Sequence, residues 1–281
     1  MKTLIKDYIY IIIRTIRLFF RSIELILPPK LACNLQNLLL LIVRSELRYK
    51  YDPKLRLYVA FEKNFLRYFG DLKRGFDLYG TSLIERGNML YNSYCLHNIS
   101  FNKSDIVVDC GANYADLFIP LKDKIEEENY ITFEPGPTEH KCIKKSVPNS
   151  RNFNLGLSNK EGLMNFYLCS ATGDSSLIKP QKFTEIVDVK VTTLDNFMAQ
   201  ENIIKCKLLK LEAEGWEPEI LMGANSFLKI CEYVAIDGGR ERGTKKELTF
   251  HVLNNHLTDI GFKMIDLNGH AYRALYKNTF I

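Results

Sequence analysis

The stretch Asp105-Ile106-Val107-Val108-Asp109-Cys110-Gly111-Ala112-Asn113 constrains the fold more than any other part of the chain. An apolar run of β-formers too short for a helix reads as a buried strand, and the Gly-Ala-Asn behind it reads as a tight strand-to-helix turn. Open α/β sheets bind ligands beyond the carboxyl ends of their strands. There a glycine lets backbone come close, and a carboxylate can accept a hydroxyl or ammonium group. Asp109, Gly111, Ala112 and Asn113 are therefore candidate binding residues.

A second strand, Tyr130-Ile131-Thr132-Phe133, runs into Glu134 and Pro135, with Glu134 lying 23 positions beyond Gly111. In a βαβ unit that spacing brings a carboxylate to the pocket edge, where it can accept both hydroxyls of an adenosine ribose. A third strand, around 152–155, leads to Gly156-Leu157-Ser158, a turn able to lay backbone and the Ser158 hydroxyl against an adenine edge. Two β-rich segments, 163–168 and 186–192, follow with a polar loop over 171–176 between them. Thr193 is placed to cap the next helix, and Asp195 serves either that helix end or a ligand.

The strand 207–212 ends in Ala213-Glu214-Gly215-Trp216-Glu217-Pro218-Glu219, putting four carboxylates within eight residues. Such a cluster is costly unless some members face solvent or meet a cation. A helix over 219–228 would favour Glu217 and Glu219 at its N-terminus, leaving Glu212 and Glu214 as catalytic candidates and Lys210 as a partner for either. A strand at 233–237, a helix at 246–257 and strands at 262–267 and 272–276, joined through Asn268-Gly269, complete the alternation. The pattern predicts an α/β fold: a mostly parallel sheet covered on both faces, with an antiparallel hairpin at its edge.

Seven cysteines are scattered and never spaced Cys-x-x-Cys, which points to no zinc site, no metal and no disulfide framework, and to a reducing, cytoplasmic compartment. Charge is uneven. Residues 1–74 carry 15 Lys and Arg against 6 Asp and Glu, while the remainder carries 23 against 27. An anionic surface is thus met by the front of the chain.

In residues 1–27, Thr3, Asp7, Tyr10, Arg14, Arg17, Arg21 and Glu24 recur at gaps of four and three, a narrow and mostly basic stripe on an apolar cylinder. The longest uncharged run, Tyr8–Ile13, is far below the roughly 18–20 residues that span a bilayer. No small-residue cleavage site of a secretory signal follows. A helix lying in the membrane interface is expected, and packing on the core or on a second subunit is the rival. Pro28-Pro29 ends that helix, and the apolar run 31–43, closed by Arg44, Arg48 and Lys50, makes a helical hairpin over 1–50. Residues 51–103 then form a bridging region over one edge of the sheet, and 104–281 the catalytic domain.

These motifs, taken in order, resemble the FkbM-type S-adenosylmethionine-dependent methyltransferases. The matching pieces are Asp109 to Asn113, Glu134-Pro135, Gly156-Leu157-Ser158, Thr193-Leu194-Asp195, Lys210 to Gly215, Glu217 to Leu221 and Gly223-Ala224, covering about 104–240. The resemblance implies a Rossmann-like class I methyltransferase fold in which Asp109 to Asn113 and Glu134 hold S-adenosyl-L-methionine. Ala115, Glu212 and Asp237 stand where that family commonly has Gly, Asp and Glu. Glu212, Glu214 or Asp195 would serve as base toward a hydroxyl of a glycan or lipid-linked saccharide. A nicotinamide oxidoreductase fits less well, because the turn lacks the Gly-x-Gly-x-x-Gly series. Nucleic acid is not the expected partner, since the basic residues sit among long aliphatic side chains. A binding or scaffold protein with a degenerate methyltransferase fold is the alternative from another class.

Overall fold

The computed structural model describes residues 27–169 and 173–281, so the expected N-terminal amphipathic helix and part of the 171–176 loop lie outside the described residues. The chain forms two compact units, the first reaching Arg86 and the second running from Gly87 to Ile281. The segments expected from sequence are 1–50, 51–103 and 104–281; Leu90, Tyr94 and Leu96 of the middle one belong to the core of the second unit.

In the first unit, helix α1 (Pro29–Ile42) begins with Pro29 in its first turn, where the missing N–H costs nothing. A three-stranded antiparallel meander follows: β1 (Arg48–Asp52), β2 (Leu57–Glu62) and β3 (Phe65–Phe69). Arg48 and Lys50 therefore belong to a strand, not to the end of a hairpin of helices. Asn37 ties α1 to β1, donating from Nδ2 to the carbonyl of Tyr49 at 2.9 Å and accepting its N–H at 2.7 Å. Helix α2 (Leu72–Tyr79) is capped by Asp71 and brings Phe76 and Tyr79 against Tyr49 and Phe69. Helix α3 (Leu83–Ser93) crosses into the second unit.

The second unit is built on seven strands. Those at its centre are β4 (Val107–Cys110), β5 (Tyr130–Phe133), β6 (Arg151–Phe153), β10 (Cys206–Leu211) and β11 (Cys231–Asp237). They run parallel, in the order β6-β5-β4-β10-β11, and the antiparallel hairpin β14 (Phe262–Asn268) and β15 (Arg273–Asn278) completes the edge through β15. The order reverses at β4, so the gap beyond β4 and β10 is the topological switch point where such sheets bind ligands. Two apolar cores explain the unbroken apolar strands. Val108, Ile131, Leu209 and Val234 face one core, and Val107, Tyr130, Leu208 and Ala235 the other.

A separate three-stranded sheet joins β7 (Gly156–Leu157), β8 (Gly162–Leu168) and β9 (Glu185–Thr192) in the order β7-β9-β8, so the two β-rich segments pair with each other outside the main sheet. Helix α4 (Phe118–Leu121) is a single turn, and α5 (Pro137–Ser146) and α6 (Leu194–Glu201) are longer, the last capped by Thr193 as expected. The helix expected over 219–228 is two pieces, α7 (Glu217–Met222) and α8 (Asn225–Lys229). They part at Gly223, where a Cβ would stand 2.2 Å from the Ser158 carbonyl oxygen. After β11 come a small hairpin, β12 (Arg240–Arg242) with β13 (Glu247–Leu248), and helix α9 (Phe250–Asp259).

Candidate active site

The turn after β4 is clamped from both sides. Gly111 has φ +69°, and a Cβ on it would lie 1.7 Å from the carbonyl oxygen of Glu212, so neither the backbone conformation nor the space admits another residue. The N–H groups of Gly111 and Ala112 donate to the Phe133 carbonyl at 2.9 and 3.3 Å. Asn113 donates its N–H to Glu134 Oε2 at 2.8 Å, and Gly136 donates to Oε1 of the same carboxylate at 2.8 Å. Glu134 thus reaches the turn, as the spacing predicts. Asn113 Oδ1 is buried and accepts no hydrogen bond among the described residues. Ala115 is fully buried at φ +59°, a left-handed conformation outside any helix, which explains why glycine suits the position.

Behind the turn, one face of the sheet carries a row of charges. Side chains alternate along a strand, so Asp109, Lys210, Glu212, Asp237 and Arg273 come to the same face of adjacent strands. Lys210 Nζ lies 3.0 Å from Asp109 Oδ1 and 3.0 Å from Glu212 Oε2, and it also donates to the carbonyls of Cys110 and Gly111. Tyr130 donates its hydroxyl to the other Asp109 oxygen. Arg273 continues the row, donating Nη2 to Glu212 Oε1 at 2.8 Å, Nε to Asp237 Oδ2 at 2.6 Å and Nη1 to Ser93 Oγ at 2.9 Å, with its guanidinium over the Tyr94 ring. Burial alone would lower the Lys210 pKa, but Asp109 and Glu212 outweigh it and hold the ammonium charged. Burial would raise Glu212, yet Lys210 and Arg273 pull it down to about 2. Asp109 is only 1% exposed and is spent on Lys210 and Tyr130, so it braces the turn from behind rather than opening toward a ligand.

The loop after β10 adds carboxylates of a different kind. Glu214 (φ +51°) and Gly215 (φ +93°) are both left-handed. A Cβ on Gly215 would sit 2.5 Å from the Arg242 Cα, so β12 is pressed onto this loop. Arg242 secures it by donating to the Gly215 carbonyl at 2.6 Å and to both oxygens of Glu219. Glu241, carried in beside it, faces Asp237 across Gly239. Burial, then the neighbouring Asp237 and Glu212, push Glu241 up to about 8, with Arg273 opposing. Glu214 is also raised well above the ordinary carboxylate range, first by burial and then by Glu241 and Glu212. Neither side chain forms an ion pair among the described residues. Glu217 is fully buried, and burial lifts it to about 7 against the N–H groups of Ala213 and Gly215 that its Oε1 accepts.

The Methyltransferase FkbM domain model matches residues 109–264, more than half of the chain and the whole of this site apart from Arg273, Ser93 and Tyr94. The chain belongs to the FkbM methyltransferase family. Its cofactor is S-adenosyl-L-methionine. No curated protein sequence matches the chain. Among solved structures, M. capricolum TrmK in complex with S-adenosyl-homocysteine is similar at 11% identity and TM-score 0.38, covering 68% of this chain and 68% of its own. A SAM dependent methyltransferase from Aquifex aeolicus is similar at 11% identity and TM-score 0.38, covering 73% of this chain and 92% of its own.

The groups on the turn of this FkbM domain fit that cofactor. The Glu134 carboxylate stands at the turn where ribose hydroxyls would be met, Asn113 Oδ1 is an acceptor without a donor among the described residues, and the Gly111 cradle allows backbone contact. Two other candidates sit elsewhere. Ser158 is fully buried, its N–H bonded to the Thr192 carbonyl and its hydroxyl turned to Asn159 and Met164, leaving it no surface for adenine. Asp195 accepts the N–H groups of Ser226 and Phe227 at 2.8 Å each, capping α8 rather than facing the site. The Pro135 carbonyl accepts from Asn154, fixing the exit of β5. Arg273, Tyr94, Tyr130 and Glu241 went unread in the sequence. Each depends on which strands become neighbours, and only the acid-rich loop beside Glu241 carried any local signal.

Proposed function

We propose that this S-adenosylmethionine-dependent methyltransferase methylates oxygen, on a hydroxyl of a glycan or lipid-linked saccharide, working as a peripheral cytoplasmic enzyme at the membrane surface. The observation that carries the reading is the contrast between carboxylates at the switch point. Glu212 is held ionised by two cations, while Glu241 and Glu214 stand beside it without an ion pair among the described residues. Bound S-adenosylmethionine supplies an electrophilic methyl group on a sulfonium. Glu134 would accept the ribose hydroxyls, Asn113 Oδ1 would accept the ammonium, and the 111–113 backbone would set the depth of the cofactor.

An alcohol is a weak nucleophile until its proton is removed, and a base works best when its pKa lies near the working pH. Glu241, at about 8, meets that requirement, and Glu214 flanks it. Glu212, at about 2, is too weak a base and instead positions Lys210 and Arg273. The basic, apolar front of the chain supports a membrane-bound acceptor. The test is incorporation of tritiated methyl groups into lipid, glycan and protein fractions of a cell extract. Label in the lipid-linked saccharide fraction, released into the aqueous phase with the saccharide on mild acid hydrolysis and then stable to base as a methyl ether, is expected; label confined to protein or nucleic acid would contradict it.

A further inference from the structure

Helix α1 presents an apolar face outward. Its inner side is Ala32, Cys33, Gln36 and Leu40, all buried. On the outer side Leu31, Leu38, Leu41 and Ile42 are 50%, 56%, 56% and 69% exposed. At about 100° per residue, Leu31, Leu38 and Ile42 share one narrow sector, with Leu41 and the exposed Asn34 to one side of it. A helix that meets only water carries polar residues there. Exposed Lys30 and Arg44 stand at its two ends. Residues 27–86 as a whole carry 11 Lys and Arg against 6 Asp and Glu.

We infer that this face is a lipid-contact surface: α1 lies flat on an anionic bilayer leaflet, Leu31, Leu38, Leu41 and Ile42 entering the boundary between headgroups and acyl chains while Lys30 and Arg44 meet the phosphates. Three observations select this occupant. Fourteen residues make a helix of about 21 Å, too short to cross the roughly 30 Å of hydrocarbon, so the helix lies along the surface. The excess of positive charge opposes a second copy of the same unit and complements an acidic leaflet. The helix also follows directly in sequence on the segment 1–27, whose composition is aliphatic and basic. The inference rests on the membrane part of the proposed function and assigns it to named side chains.

Flotation of the full chain with phosphatidylcholine vesicles, with and without phosphatidylglycerol, tests it against the double variant Leu38→Glu/Ile42→Glu. Both positions are exposed, so the substitutions leave the fold intact, checked by an unchanged melting temperature. The wild type is expected to float with the anionic vesicles, less so at high salt, and the variant to partition roughly 100-fold more weakly. Flotation of the variant equal to wild type overturns the inference, as does failure of the wild type to float. A lower melting temperature in the variant, or its conversion from dimer to monomer by light scattering, also overturns it, showing that the chain itself or a second copy covers the face. S-adenosylmethionine calorimetry on the same samples keeps the readings apart. Cofactor binding with no flotation removes the lipid surface and leaves the methyltransferase; flotation without cofactor binding does the reverse.

Discussion

The Cα of Gly111 lies against the carbonyl of Glu212, so closely that a Cβ on it would approach the oxygen to 1.7 Å. The contact joins the first strand-to-helix turn to the end of β10, and with φ +69° it admits only glycine. Gly111→Ala is therefore expected to cost about 3 kcal/mol or more in chemical denaturation and to abolish cofactor binding, because the turn must move off β10. Gly269→Ala, in open space at an ordinary φ, should change stability by less than about 0.5 kcal/mol and serves as the control.

Lys210 is the only cation bridging Asp109 and Glu212 among the described residues, and all three side chains are mostly enclosed. Removing one member of a buried ion network strands the others' charge. Lys210→Met is expected to destabilise the protein by about 3–5 kcal/mol in urea unfolding. A loss below about 1 kcal/mol would mean that the row is solvated.

Glu241 must be ionised to accept a proton, so wild-type kcat/KM should rise with pH through about 8 and level above it. Glu241→Gln should lower kcat by about 100-fold or more, remove that rising limb and leave S-adenosylmethionine affinity unchanged. A pH profile identical to wild type would assign the base elsewhere, with Glu214 next in line.

Glu217 offers a stability test with a definite sign. Its pKa rises from 4.5 in the unfolded chain to about 7 in the folded one, so between these values the folded state holds the extra proton. Stability must therefore fall as pH rises from 4.5 to 7 and be flat on either side, the full cost being present above 7. The fall from this group is about 3 kcal/mol. Glu217→Gln, which keeps the acceptor for the Ala213 and Gly215 N–H groups, should flatten it in unfolding titrations across that range.

Much of this was legible from sequence where the signal was local. The run 105–113 announces β4 and its turn, and the spacing to Glu134 announces a carboxylate that does reach Asn113. Thr193 reads as a cap and is one. What stayed hidden depends on strand order. Asp109 reads as a ligand because nothing near it in sequence supplies Lys210, which becomes its neighbour only when β4 pairs with β10. Arg273 stands 61 residues beyond Glu212 and meets it because β15 inserts between β11 and β14. Asp195 reads as an end of its own helix or as a ligand because α8, which it caps, is expected to be the last part of a longer helix over 219–228. The meander of β1 to β3 was missed because its aromatic residues are shared between strand faces instead of marking a single period.

Glu134 is the carboxylate proposed to receive the cofactor beside the Gly111 turn. Isothermal titration of S-adenosylmethionine into wild type and Glu134→Ala, with melting curves to establish that both are folded, tests this most directly. One molar equivalent should bind to the wild type and the variant should bind roughly 100-fold more weakly, the loss of two hydrogen bonds to a charged group. Equal affinity in the two proteins would contradict it.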